Sequence, residues 1–452
     1  MVEYQSSVIH RISKSEGETR GYYRLLENEK VTENDLIYGI QRQCLENITD
    51  QRVLVFGDSC TISLENNNNR LVEKEGLYNI GQNQHQNRVS LGMIIHPLLV
   101  HDRDTGTPRG IANVEILERP LIGNKRSSDW NRKSWPIEEK ESYKWISTCL
   151  DVKETVLSKP KHKLFVMDRE ADIIDIYDKL KTKSSDVLVR SNYNRKVIDD
   201  RGDTCKIDEL LARQEIQGSI EVEVKEKKRK KRIAKLSVRI AQAKLPWPGN
   251  RKVIKKIHPN GIKVSIIEVR EIEHKGYKNE PPLIWRLITT ELIDDFEKAI
   301  EIIHCYRQRW KIEELFKLMK TDGFNIEATE LTKGRCIRKL TLLIMKSSIK
   351  ILQLKSARNG ESSIKLAEVF NKEECECLVR LNTQLSGDTI KQQNPHNSDS
   401  LSWATWIIAR LGGWKEFYNK KRPPGNKTLV WGLEKFEAIM VGYNISKIKD
   451  VS

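Results

Sequence analysis

Two short apolar runs, Val53–Phe56 and Leu164–Met167, constrain this chain more than any other feature. Each stops at an aspartate: Asp58 after one glycine, Asp168 directly. An unbroken apolar run of that length, bounded by turn residues, reads as a strand covered on both faces. A third run, Val187–Val189, ends at Arg190. Helical patterns near Ser142–Leu157 and Ala171–Leu180 separate the runs. Strands alternating with helices predict a mixed α/β sheet.

The remaining pattern fills in around that core. Ser13–Asp50 is polar and helical, with Tyr23 and Arg24 early in it. Strand-like stretches near Arg88–Leu99 and Ala112–Glu118 flank a turn, HDRDTGTPRG. A loop rich in Trp and charge, SSDWNRKSWPIEEKES, leads into the Ser142 helix. From Asn192 to about Lys278 the segments IEVEV and KLSVRIAQA alternate apolar with polar, as half-exposed antiparallel strands do. KEKKRKKR between them, Lys225–Arg232, reads as a solvated hairpin tip that can also touch phosphate. Pro282–Thr290 returns to a buried strand, and a helix starts near Asp294. After Arg335 the chain is mostly helical, with a polar loop at about Gly387–Ser400. There is no phosphate-binding P-loop, dinucleotide glycine motif, zinc spacing or internal repeat.

Composition narrows the partners. The chain has 452 residues, enough for more than one domain, and carries 79 Lys+Arg against 63 Asp+Glu, a net +16. That surplus favours a polyanion, although a generically basic protein would show it too. Eight scattered cysteines read as reduced thiols. No apolar run is long enough to span a bilayer, and the N-terminus lacks a signal-peptide core. A cytoplasmic protein with no membrane partner is expected, and the many Lys, Asn and Ile residues hint at an AT-rich genome.

The stretch CYRQRWKIEELFKLMK, Cys305–Lys320, carries the second constraint. At about 100° per residue, Tyr306, Arg309, Glu313 and Lys320 fall within roughly 60° of arc on one helix. Ile312, Leu315, Leu318 and Met319 take the other side. A solvated face with an ordinary Glu313–Lys317 pair would give the same pattern. Likewise, either Asp58 or Asp168 alone could be a turn or cap residue. Taken together with Glu313, and if the two strands are neighbours, they make three carboxylates around one point. That set suits a hard cation, Mg²⁺ or Mn²⁺, and two such ions suit in-line phosphoryl transfer.

Asp58 in VFGDS, the DREAD run at Asp168–Asp172, and Tyr306, Arg309, Glu313 and Lys320 as Y-x2-R-x3-E-x6-K resemble the DDE transposases of bacterial insertion sequences. Within these the chain is similar to the insertion-sequence-four branch. ESYKW before the second aspartate, VRS after it and ARLGGW near the C-terminus add to the resemblance, which runs from about Arg20 to about Gly442. It implies an RNase H-like mixed-sheet core with an antiparallel β insertion and flanking helical N- and C-terminal regions. The expected segments are 1–50 for DNA binding, 51–190 and 281–335 for the core, 191–280 for the insertion, and 336–452 for dimerisation.

The resemblance also implies roles. Asp58, Asp168 and Glu313 would be catalytic ligands of an Mg²⁺ (or Mn²⁺) pair. The chemistry is hydrolysis of one strand at the transposon end, attack of the freed 3′-hydroxyl to form a hairpin, its reopening by water, and strand transfer into target DNA. Arg309 and Lys320 would clamp phosphate oxygens, with Tyr306 bonding the same phosphate. Trp285 matches the position that stacks on a flipped base, although a strand tryptophan can also be core. Arg190 matches a phosphate contact, and a plain surface arginine is its other reading. Trp310 is either core or near DNA. Tyr23 and Arg24 would touch the DNA backbone or base edges. Partners are double-stranded DNA (terminal inverted repeats and target) and a second copy of the chain, in a bacterial cytoplasm and at the nucleoid when bound.

The stretch before Asp58 is shorter than the family's by several tens of residues. A second expectation follows from it: a non-catalytic chain that dimerises with a full-length transposase and inhibits it.

Overall fold

The computed structural model describes residues 7–13, 15–48, 51–65, 69–83, 88–117, 136–224, 232–247, 261–272, 281–360, 362, 364–415 and 423–449. Residues 127–135 of the Trp-rich loop and most of the KEKKRKKR run fall outside them. The chain is α/β, with a mixed sheet of parallel and antiparallel strands flanked by helices, consistent with an RNase H-like transposase fold. It divides into two units, one of residues 1–49, 59–126 and 311–452, the other of 50–58 and 127–310.

The second unit is built on the apolar runs. Arg52–Gly57, His162–Met167 and Ser185–Arg190 form three parallel neighbours in that order. Val53–Phe56 and Leu164–Met167 are at most 1% exposed, as strands covered on both faces must be. The direction then reverses. Ile284–Thr289 pairs antiparallel with Ser185–Arg190, and Ile262–Glu271 and Arg232–Leu245 continue the ladder, with Gly218–Val224 beyond. The alternating region therefore hydrogen-bonds onto the same ladder as the apolar runs. It also holds a helix, Ile207–Ala212, and two short strands, Lys196–Ile198 and Thr204–Lys206, that its polarity pattern hides.

The helix expected over Ala171–Leu180 is shorter, Ile174–Lys179. Asp168 caps a tight turn at Arg169–Ala171 by accepting from the Glu170 amide at 2.8 Å, and this delays the helix. The helix Phe296–Gln308 starts as expected, capped by Asp295 accepting from the Lys298 amide at 2.7 Å.

The first unit begins with Ile9–Ile12, Glu16–Glu27 and Glu33–Asn47, the last closed by a Thr32–Asp35 capping box. A hairpin of Arg88–Asp102 and Pro108–Leu117 follows, with Cys60–Ser63 and Tyr78–Asn83 paired to its first strand. Gly106, at φ 68°, supplies the left-handed residue of the hairpin turn. The long helix Gly334–Ala357 forms this unit's core with Leu401–Leu411 and Asn426–Lys449. Arg338 ties it to Glu33 through two bonds of 2.6 Å. None of the eight cysteines is in a disulfide, and no helix among the described residues is long and apolar enough to cross a membrane.

Candidate active site

The register of the parallel strands brings the two aspartates together. Phe56 pairs with Val166, and Val166 with Leu188. Two residues further along each strand, the same register aligns Asp58, Asp168 and Arg190 in one row at the C-terminal edge. Neighbouring strands are about 4.8 Å apart, so the three charged residues lie at the C-terminal ends of adjacent strands, where open α/β sheets bind ligands.

Arg309 reaches into this row from the end of the helix Phe296–Gln308. Its Nη1 donates to Asp58 Oδ2 at 2.5 Å, and the two side chains are only 13% and 14% exposed. Burial works against the guanidinium charge, but Asp58, Tyr306 and Asp168 outweigh it and raise the Arg309 pKa. Arg190 behaves in the opposite way. Burial comes first in lowering its pKa, helped by the nearby charges of Arg169 and Arg309 and resisted by a hydrogen bond to Tyr306. Arg190 also donates to the Ile284 carbonyl at 3.3 Å. Tyr306 itself is buried.

Trp285 joins the same face. Arg190 pairs with Leu287 across the antiparallel ladder, and Trp285 lies two residues from Leu287 on the same strand. Side chains of a cross-strand pair share a face, and so do residues two apart, which sets Trp285 diagonal to Arg190 at about 7–8 Å. Trp285 is half-buried, paired with Val269. Trp310 is 65% exposed, which removes the core reading for it.

One residue that sequence reasoning passed over organises this edge. Asp172, the last residue of DREAD, has a side chain with no exposure. It accepts from Tyr177 Oη at 3.1 Å, Ser191 Oγ at 3.1 Å and the Asn192 amide at 2.9 Å. Arg195 Nη2 lies 2.6 Å from Asp172 Oδ1 and also donates to the Asp172 carbonyl. The carboxylate thus ties the turn after Asp168 to the segment after Arg190. The available signal was the repeat of Asp at four residues' spacing just beyond a strand end.

The other expected residues lie in the first unit. Glu313 is half-buried on the helix Trp310–Lys317, where Ile312, Leu315 and Phe316 are buried. The single continuous helix expected through Lys320 is not what forms. Phe296–Gln308 and Trp310–Lys317 are separate helices, and Leu318–Asp322 is a π turn. The wider i→i+5 winding breaks the 100° step, so the arc computed for an ideal helix does not extend to Lys320. Lys320 Nζ sits 2.9 Å from Glu327 and donates to the Thr61 carbonyl at 2.9 Å. Tyr23 is half-buried on Glu16–Glu27, its pKa raised first by burial and then by Glu330 and Glu27, while Arg24 is exposed.

Among the described residues, one group of potential metal ligands comes within 4.8 Å: His162, Asp186 and Glu291. It lies at the other edge of the sheet. His162 opens the strand that Asp168 follows, a separation of roughly 20 Å at 3.3 Å per residue. Asp186 is already saturated there, accepting from Thr290 Oγ1 at 2.6 Å and from Lys181, with His162 at 2.9 Å. A carboxylate neutralised by lysine is a poor resident ligand, so this cluster reads as a structural network.

Residues 148–347 match the family described as Transposase DDE domain. The match covers Asp168, Arg190, Trp285, Tyr306, Arg309, Glu313 and Lys320, 200 of the 452 residues in all, and supports a DDE transposase family.

Proposed function

We propose that this protein is a cut-and-paste DNA transposase of the insertion-sequence-four kind. It would nick a transposon end by metal-assisted hydrolysis, pass through a hairpin, and join the freed 3′-hydroxyl to target DNA. The observation that carries this reading is the row of Asp58, Asp168 and Arg190 with Arg309 set on Asp58.

Asp58 and Asp168 supply the oxygen donors a hard cation takes, and with Glu313 they would hold Mg²⁺ or Mn²⁺. When bound, a metal pair activates the attacking oxygen and stabilises the leaving one. The chain's own residues do the positioning. Arg309 exchanges Asp58 for a phosphate oxygen, and Arg190 lies in the same row to neutralise the scissile phosphodiester. Tyr306 donates to that phosphate. Lys320 adds a further cation once it leaves Glu327. Trp285 stacks on the base displaced as the hairpin closes, a contact worth about 1–3 kcal/mol. Tyr23 and Arg24 contact the terminal repeat, and the helices of 336–452 pair two copies on paired ends.

The test is cleavage of a duplex carrying the element's own end, with Mg²⁺ and with EDTA, on a denaturing gel. A metal-dependent nick at the end followed by a hairpin is expected. Binding without cleavage would overturn the reading in favour of a non-catalytic, dimerising inhibitor.

A further inference from the structure

A polar cavity rich in cations is open in the first unit. The hairpin turn at Gly106, the helix Trp310–Lys317 and the end of the helix Gly334–Ala357 enclose a polar cavity of about 250 Å³. At about 30 Å³ per water, that is room for roughly eight waters. Lys311, Lys355 and Arg358 line it with one carboxylate, Glu314, and with His101. The Gly106 carbonyl accepts from Lys311 Nζ at 2.7 Å and from His101 Nδ1 at 3.0 Å. Lys355 Nζ lies 3.0 Å from Glu314, and Arg358 donates to the Pro424 carbonyl at 3.2 Å.

Three full cations against one carboxylate leave the cavity with a local charge of +2. Burial, Lys311 and Arg109 together hold His101 well below its usual pKa, as a group in a positive field should be held. Lys311 has its own pKa lowered by burial, against the opposing charge of Glu314. A half-open positive site with many N–H donors and a neutral histidine is a receptor for a tetrahedral oxyanion. On an ideal helix Lys311 and Glu314 are about 60° apart, whereas Glu313 is 100° or more from both, so the cavity takes a different face of that helix from Glu313.

We infer that this cavity binds a backbone phosphodiester of the DNA, a contact separate from the scissile phosphate. The inference rests on the transposase reading for its polyanion.

The test is the salt dependence of duplex binding, followed by fluorescence anisotropy with a labelled duplex. Arg358→Gln and Lys355→Gln should each reduce the slope of log K against log salt by roughly 0.9, the value of one lost phosphate contact. Between 50 and 200 mM salt their affinity should then fall about threefold less than that of the parent protein. The loss at low salt should be equal on terminal-repeat and random duplexes. Glu314→Gln should tighten binding, and Lys355→Arg should restore the parent slope, which separates lost charge from lost folding. Unchanged slopes in both Gln variants would overturn the inference. So would inorganic phosphate raising the parent's Tm, but not that of Arg358→Gln, while the DNA slopes stay equal, because the cavity would then serve free phosphate. A protein that shows the expected slopes yet never nicks DNA would count against the transposase reading and leave this one standing.

Discussion

Arg309 holds Asp58 across 2.5 Å, so a cation from the Cys305–Lys320 stretch closes on the aspartate that follows the first apolar run. Both side chains are largely buried, so this pair competes with any cation for the Asp58 oxygen. Arg309→Gln should therefore tighten Mn²⁺ binding, measured by titration calorimetry or paramagnetic resonance. Cleavage should nevertheless fall by about 10²–10³, the usual cost of removing one donor to a developing oxyanion. Weaker Mn²⁺ binding in that variant would mean that Arg309 orients Asp58 for the metal instead of blocking it.

Glu313→Ala should keep duplex affinity within a few-fold and abolish nicking, read on the same denaturing gel. The side chain is half-buried on a helix whose apolar face is elsewhere, so the fold should survive. Retained nicking would remove Glu313 from the metal site.

Trp285→Ala should leave the first nick nearly untouched and reduce hairpin formation by roughly 10–100-fold, matching about 1–3 kcal/mol of stacking. Time courses that resolve nick from hairpin decide it. Equal slowing of both steps would point to Trp285 as packing for the Arg190 strand.

Asp172→Ala removes the side-chain acceptor of four groups and leaves the Arg195 guanidinium, whose side chain is 19% exposed, without its carboxylate. Breaking such a pair costs about 3 kcal/mol, which for a unit of this size lowers Tm by roughly 6–12 °C. A Tm within two degrees of the parent, by calorimetry, would show that the network is dispensable.

The far edge of the sheet makes a pH prediction. Burial alone would raise the Asp186 pKa, but hydrogen bonds from His162, Lys181 and Thr290 prevail and hold it at about 2. A depressed carboxylate stabilises the fold fully above its unfolded pKa of about 3.9, and this is lost as pH falls through the folded value. The contribution is about 2 kcal/mol. Asp186→Asn should lower stability at pH 7 and match the parent below about pH 2, by urea unfolding across pH. A difference that persists at pH 2 would assign the effect to packing.

The strands that were missed show where local pattern stops. Cys60–Ser63 is too short to read as a strand, and Tyr78–Asn83, YNIGQN, is mostly polar; both form because Arg88–Asp102 offers them a partner. Ile207–Ala212 is a single short helix inside a stretch of alternating strands. Leu318–Asp322 winds as a π turn, which no 3.6-residue period anticipates.

The sequence by itself determined the buried strands, because an unbroken apolar run can only be satisfied by cover on both faces. It also placed an acid or a cation at each strand end and set the spacing of Tyr306, Arg309, Glu313 and Lys320. Tertiary structure alone decided that the three runs are neighbours in register, so that Asp58, Asp168 and Arg190 come to the ends of adjacent strands. It also decided that Arg309 turns onto Asp58, and that Asp172 fastens two turns at once. The physical reason is range. Periodicity is written within a few residues, whereas ladder register and ion pairing join residues as far apart as Asp58 and Arg309, 251 positions, or Glu33 and Arg338, 305 positions. Those contacts exist only once the core has chosen which strands lie side by side.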